Sequence, residues 1–176
     1  LANDYPNKEL IIIGDNCPTT ESILRELFVE EINSELIVFE QIPKKQKLFS
    51  GKIRTQGINL AKGEIIMYLD TDDMFGNTHI RSVVEQMQSE KLDWCYFNDF
   101  INTDGGLIPK VVELAHESIG TSSIAHYNHK DVDWSKCDGY GHDWLFIQKL
   151  MKWSENNEKI FGATYIICHI PNQIDR

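Results

Sequence analysis

The stretch RTQGINLAKGEIIMYLDTDDMF, residues 54–75, places a helix former, a stop, a strand and an acidic turn in immediate succession. From Ser50 to Lys62, the residues Ile53, Gly57, Ile58 and Leu60 with Gly63 as a stop predict a helix ended by a C-cap glycine. EIIMYLD (64–70) predicts a strand, and Asp70, Asp72 and Asp73 stand at its end. In open α/β sheets ligands bind beyond the carboxyl ends of the strands, so acids there carry more weight than acids elsewhere. Three carboxylates within four residues repel one another unless a cation or hydrogen-bond donors compensate. A hard divalent ion is the simplest compensation, and magnesium or manganese commonly bridges one or two carboxylates to substrate phosphates. A solvated turn capping a helix that starts near Thr78 is the plainer alternative. The position after an apolar strand favours the ligand site.

Working outward, ELIIIG (9–14) reads as a strand buried on both faces that leads into a loop carrying Asp15. Between Glu21 and Asn33, Ile23, Leu24, Leu27, Phe28 and Ile32 fall at helical spacing. ELIVFE (35–40) gives a second strand, and Thr78 to Glu90 another helix with Ile80, Val83, Val84 and Met87 on one face. DWCYFNDFIN (93–102) is aromatic and β-prone, and Thr103 to Gly106 form a turn. This alternation predicts an α/β domain with a mostly parallel central sheet flanked by helices. The second half is less regular: a strand in IGTSSIAHY (119–127), a helix from about Asp143 to Ser154 and a strand in ATYIICHI (163–170).

With 176 residues the chain has the length of one domain, expected to span 1–176 with a first half over 1–106 and a second over 107–176. Its net charge of −10 opposes binding of nucleic acid or anionic lipid, and Lys44, Lys45 and Lys47 are too small a cluster to reverse that. Cys17, Cys95, Cys137 and Cys168 show no C-x-x-C spacing, which fits a reducing, cytoplasmic setting. No apolar run approaches the roughly 20 residues of a transmembrane helix, and LANDYPNKEL lacks the features of a signal peptide. The start at Leu1, with a turn-like NDYPN before the first strand, predicts missing residues upstream.

Three segments in order carry a resemblance: YPNKELIIIGDNCPTT, RTQGINLAKGEIIMYLDTDDMF and GHDWLFIQKL. Together they resemble a family 2 glycosyltransferase of the GT-A fold, from about residue 5 to about residue 170. The resemblance implies a hexosyltransferase-type enzyme that moves a sugar from a nucleoside diphosphate donor, UDP-sugar first, to an acceptor hydroxyl with inversion, using Mn2+ or Mg2+. The acceptor would be a sugar, a glycan, or a lipid-linked or protein group. The first half would bind the nucleotide sugar and the second the acceptor. Asp15 would hydrogen-bond the base, Arg54 would lie against base or phosphates, and Asp70 would hold the ribose hydroxyls. Asp72 would ligate the metal and Asp73 would support it from behind. Asp143 would be the catalytic base, with capping of the following helix as the alternative or additional role. For Arg54 the alternative is a helix-surface cation paired with an acid.

Two departures stand out. His142 occupies the place where the family usually has Glu before the catalytic Asp, and the strand with which the family normally opens is not supplied before Leu1. His169 would be a further metal ligand by resemblance, or else a rim residue of its strand. His126 and His129 read as surface histidines, Trp94 and Trp153 as core, and Trp134 and Trp144 as walls of the acceptor site. Two rival functions remain: a haloacid dehalogenase-like phosphatase using Asp70 and Asp72, disfavoured by Met74 two residues after the second Asp, and a non-catalytic sugar-nucleotide-binding module.

Overall fold

The computed structural model describes residues 2–46 and 51–168, so Lys47 and His169 lie outside the described residues. The chain divides into two compact units, one of Asn7–Ile66 and Tyr127–Trp153, the other of Ala2–Pro6, Met67–His126 and the chain from Ser154 onward.

In the first unit, β1 (Leu10–Asp15) pairs in parallel with β2 (Ile37–Ile42), with Leu10 opposite Ile37 and Asp15 opposite Ile42. The connection is a pair of helices, α1 (Thr20–Leu27) and α2 (Val29–Asn33), where periodicity predicted one. Phe28 breaks them: its amide still bonds Leu24 O at 2.8 Å, but its φ of −136° is not helical, so the ladder stops and restarts. Helix α3 (Gly51–Leu60) follows. A Cβ on Gly51 would stand 2.3 Å from Trp134 O and 2.7 Å from Cys137 O, so only glycine allows this approach of backbone to backbone. The expected glycine C-cap after α3 is not formed. Gly63 is not among the residues with positive φ, and instead the amides of Lys62 and Gly63 both donate to Glu9 Oε1 at 2.7 Å. β3 (Ile65–Met67) ends three residues earlier than predicted. Helix α5 (His142–Trp153) completes this unit, burying Phe146, Ile147 and Leu150. Trp134 is fully buried and stacked flat on Phe146 at 3.9 Å.

The second unit is built from β4 (Met74–Phe75), α4 (His79–Ser89), β5 (Trp94–Tyr96), β6 (Asp99–Thr103), β7 (Gly106–Lys110), β8 (Ile124–Tyr127), β9 (Asn157–Lys159) and β10 (Tyr165–Ile167). Its strands form one sheet ordered β4-β10-β6-β7 and another in which β8, β5 and β9 are neighbours in that order. Pairing is mixed: β6 with β10 and β5 with β9 run parallel, whereas β5 with β8, β6 with β7 and β4 with β10 run antiparallel. The α/β architecture expected from the alternation of elements is therefore present.

Two departures from the predicted elements have visible causes. DWCYFNDFIN is two strands in different sheets, not one, because the chain turns at Phe97 and Asn98: Phe97 is buried and bonds Ser123 O, and Asn98 Oδ1 accepts from the Val112 amide at 3.0 Å. The predicted strand 119–127 begins only at Ile124, after a 3₁₀ turn over Thr121–Ser123. That turn brings the Ser123 hydroxyl to the two oxygens of fully buried Asp99 at 3.0 and 2.9 Å, with Lys110 Nζ at 3.3 Å. Burial raises the Asp99 carboxyl above its ordinary range, and the hydroxyls and Lys110 oppose this. His126 is wholly buried in β8, bonded to the Tyr68 hydroxyl at 2.7 Å, so it is not the surface residue its spacing suggested; His129 is half-buried and stacks on Trp153. No helix among the described residues is long and apolar enough to cross a membrane, and the four cysteines are free thiols.

His79, at the start of α4, lies fully buried against Phe75 at 4.1 Å and edge-on to Phe97 at 5.1 Å. Its Nδ1 accepts from the Thr164 amide at 2.8 Å, which leaves the proton on Nε2. Burial lowers its pKa from 6.5 to about 4. The folded protein thus binds this proton more weakly than the unfolded chain, so the contribution is fully present above the unfolded value and is lost as pH falls toward the folded one. We expect stability to urea to drop by up to ~1.4 kcal/mol per pH unit between neutral pH and pH 4.5, on the order of 3 kcal/mol in all. His79→Asn, which keeps an acceptor for Thr164 but does not titrate, should flatten that slope. An unchanged slope would assign the acid sensitivity to other groups.

Candidate active site

Residues 70–73 form a β-turn closed by the Asp73 amide on Asp70 O at 3.1 Å. Its geometry is imposed from β10. The hydroxyl of buried Tyr165 donates to Asp73 Oδ2 at 2.8 Å and accepts from the Asp70 amide at 3.1 Å, while the Cys168 amide donates to Asp73 Oδ1 at 2.8 Å. Tyr165 is itself fixed between Phe75 and Asp99 by strand pairing on both sides. Burial, reinforced by the two carboxylates, raises the Tyr165 phenol far above its ordinary pKa, so it remains a proton donor. Asp73 therefore spends both oxygens on holding the turn, and Asp70 and Asp72 are the two acids it presents at the exposed surface. The turn does not cap α4, whose N-cap Thr78 makes no side-chain capping bond.

In the first unit, Asp15 ends β1 and accepts from the Gln46 amide at 2.8 Å, ahead of a loop turned by Asn16 at φ 53°. Two residues on, exposed Cys17 has its pKa lowered to about 6 by hydrogen bonds from Thr20 and Thr19. Arg54 projects from α3 with its guanidinium carbon 4.8 Å from the centroid of the Trp134 ring. Trp134 is thus a core residue that carries Arg54, not a wall of an acceptor site: Phe146 packs on it, and its amide donates to the Thr55 hydroxyl at 3.1 Å. Trp144 is half-buried in the first turns of α5. Asp143 is the second residue of α5 rather than its N-cap, with His142 Nε2 at 2.9 Å from Oδ1. A carboxylate there complements the helix dipole. The loop before it turns on Gly139 and Gly141, at φ 80° and 82°.

Of the residues singled out in sequence, the acidic turn gathers Asp70, Asp72 and Asp73, and the first unit holds Asp15, Arg54 and Asp143. His169 lies outside the described residues. Among the described residues no three His, Cys, Asp or Glu side chains group as a cage for a metal ion. The donor set of the turn, two exposed carboxylates on a braced backbone, fits a hard divalent ion that completes its shell with phosphate and water. Tyr165 escaped sequence reading because its aromatic ring fits the apolar pattern of ATYIICHI, and nothing in that pattern reveals where its hydroxyl points.

The fold is similar to that of solved structures. The S. aureus TarS 1–349 structure superposes with a TM-score of 0.72 at 14% identity, covering 94% of this chain and 53% of that one. The same protein in complex with UDP-GlcNAc gives 0.70 at 15% identity, covering 94% and 51%. Over 93 residues the chain is 25% identical to the glycosyltransferase GlyG of Streptococcus pneumoniae serotype 4, covering 53% of this chain and 30% of that protein. The chain thus spans about a third to a half of the length of the relatives it matches. The profile of glycosyl transferase family 2 matches residues 1–163, and with that match over most of its length the chain belongs to this family.

Proposed function

We propose that this chain transfers a hexose-type sugar from a UDP-linked donor to an acceptor hydroxyl, with inversion and with Mn2+ or Mg2+. The observation that carries this reading is the braced turn: Tyr165 and the Cys168 amide consume Asp73, so Asp70 and Asp72 are offered on a backbone that need not reorganise when a charged ligand arrives. UDP-GlcNAc, bound in the TarS complex, is the donor to try first.

In the second unit Asp72 is the ligand for the ion and Asp70 the acceptor for the ribose hydroxyls. The ion, when bound, supplies positive charge for the leaving diphosphate. In the first unit Asp15 reads the imide of the base, and Arg54, held over Trp134, offers a flat fork of donors to base or phosphate. Asp143 takes the proton from the acceptor hydroxyl as the oxygen attacks the anomeric carbon from the face opposite the diphosphate. An alcohol is a poor nucleophile at neutral pH, so this transfer is where a base matters most. The acceptor is a sugar, glycan, lipid-linked or protein hydroxyl, and a cytoplasmic setting matches the four free thiols. The family assignment gives no support to a phosphatase using Asp70 and Asp72.

Calorimetry should show UDP binding that depends on Mn2+ and is lost by at least tenfold in affinity in Asp72→Ala. Binding that is indifferent to metal would remove Asp72 from this role. Asp143→Asn should bind UDP normally and lose transfer by 10²-fold or more, in the range expected for removal of a general base; normal turnover by this variant would assign the base elsewhere. Cys17 offers a reporter for Asp15. Iodoacetamide at pH 7 should alkylate Cys17 well before Cys95, whose thiol burial pushes up to about 12, and UDP with Mn2+ should slow that labelling severalfold. Equal rates with and without UDP would place the base away from the Asp15 loop.

A further inference from the structure

We propose that His142 is the positioning residue of Asp143, a role that rests on reading Asp143 as the base. The imidazole is almost fully buried, at 7% exposure, and each of its nitrogens lies beside an oxygen. Nδ1 lies 3.1 Å from Gly139 O, and Nε2 lies 2.9 Å from Asp143 Oδ1. The ring thus stands between the Gly139 carbonyl of the preceding loop and the carboxylate on the first turn of α5, and with its proton on Nε2 it donates to Oδ1. The Trp134 ring, stacked flat on Phe146, borders the imidazole with ring centroids 6.1 Å apart.

The carboxylate torsion of an Asp is broad and nearly two-fold, so an untethered Asp143 would sample many orientations. With Oδ1 held by Nε2 the carboxylate plane is set before any acceptor arrives, which is the kind of preorganisation a general base needs to meet a hydroxyl at hydrogen-bond distance. The left-handed backbone at Gly139 and Gly141 makes this possible. It folds the loop back so that the Gly139 carbonyl accepts from the His142 amide and faces Nδ1, at 3.1 Å each. A Glu in place of His142 could not donate to Asp143, since an ionised carboxylate only accepts.

Two functions are open to such a ring, holding the loop through Gly139 or orienting Asp143, and side-chain isosteres separate them. Asn places its amide nitrogen near the site of Nδ1, and Gln near the site of Nε2. Turnover is measured as UDP release from UDP-GlcNAc with water as acceptor, alongside melting temperature. His142→Phe, which keeps the ring on Trp134, should lower kcat at least tenfold while KM for the donor stays within twofold. His142→Gln should recover most of kcat and His142→Asn should not. Recovery by Asn alone, or full kcat in His142→Phe when Asp143→Asn is inactive, would overturn the role of His142 and leave the base in place. Full turnover in Asp143→Asn would instead overturn the base and the inference with it. A measurement free of substrate completes the test: the His142 Nε2–H signal in long-range proton–nitrogen spectra should be protected from exchange in the parent protein and lost in Asp143→Ala. A signal unaffected by that change would overturn the contact itself.

Discussion

One hydroxyl sets the arrangement of the acidic turn. Tyr165 OH sits between the Asp70 amide and the Asp73 carboxylate and so closes, from the side of β10, a turn that three negative charges would otherwise tend to open. The bond is dependable because the phenol is buried within paired strands and does not ionise. Two donors compensate the charge of Asp73, and Asp70 and Asp72 are the carboxylates of the turn that face solvent. The near-contact of Gly76 with Thr164, where a Cβ would stand 2.7 Å from the Thr164 side chain, shows how tightly β4 and the chain before β10 are pressed together to bring the hydroxyl into place.

The first unit solves a comparable problem with an aromatic ring. Trp134 is packed on Phe146, lies beneath Arg54 and borders His142, so a single buried side chain governs the placement of a cation from α3 and of an imidazole from α5. Such a ring is a better foundation than an ion pair. It has few rotamers and does not respond to salt, and it holds a guanidinium by its face without consuming the donors that a phosphate would use.

Much of this was legible in the sequence where burial and periodicity coincide. ELIIIG became β1, though its apolar residues are half-buried rather than buried on both faces, the Val83, Val84, Met87 face of α4 is core, and the α/β class followed from the alternation of elements. What was not legible depended on contacts between distant residues. The split of residues 93–102 into two strands follows from Asn98 and Phe97 finding partners at Val112 and Ser123, and the division of the first helix follows from a single non-helical φ at Phe28. Trp134 and Tyr165 share one lesson. An aromatic with a polar atom is ambiguous in sequence, because the ring announces burial and says nothing about which neighbour the polar end or the ring face will serve. The acids themselves were found by position at strand ends, and the structure adds that Asp73 is held by Tyr165 and the Cys168 amide.

The two sheets of the second unit also carry a message about order of assembly. β5 and β6 are nearly adjacent in the chain, yet each pairs in parallel with a strand far downstream, Trp94 opposite Asn157 and Asp99 opposite Tyr165. Such pairings close long loops before any contact rewards them, which slows folding relative to hairpins such as β6–β7. On a ribosome the acidic turn would emerge long before the strand that braces it. The turn acquires its fixed shape only when β10 docks and brings the Tyr165 hydroxyl and the Cys168 amide to it.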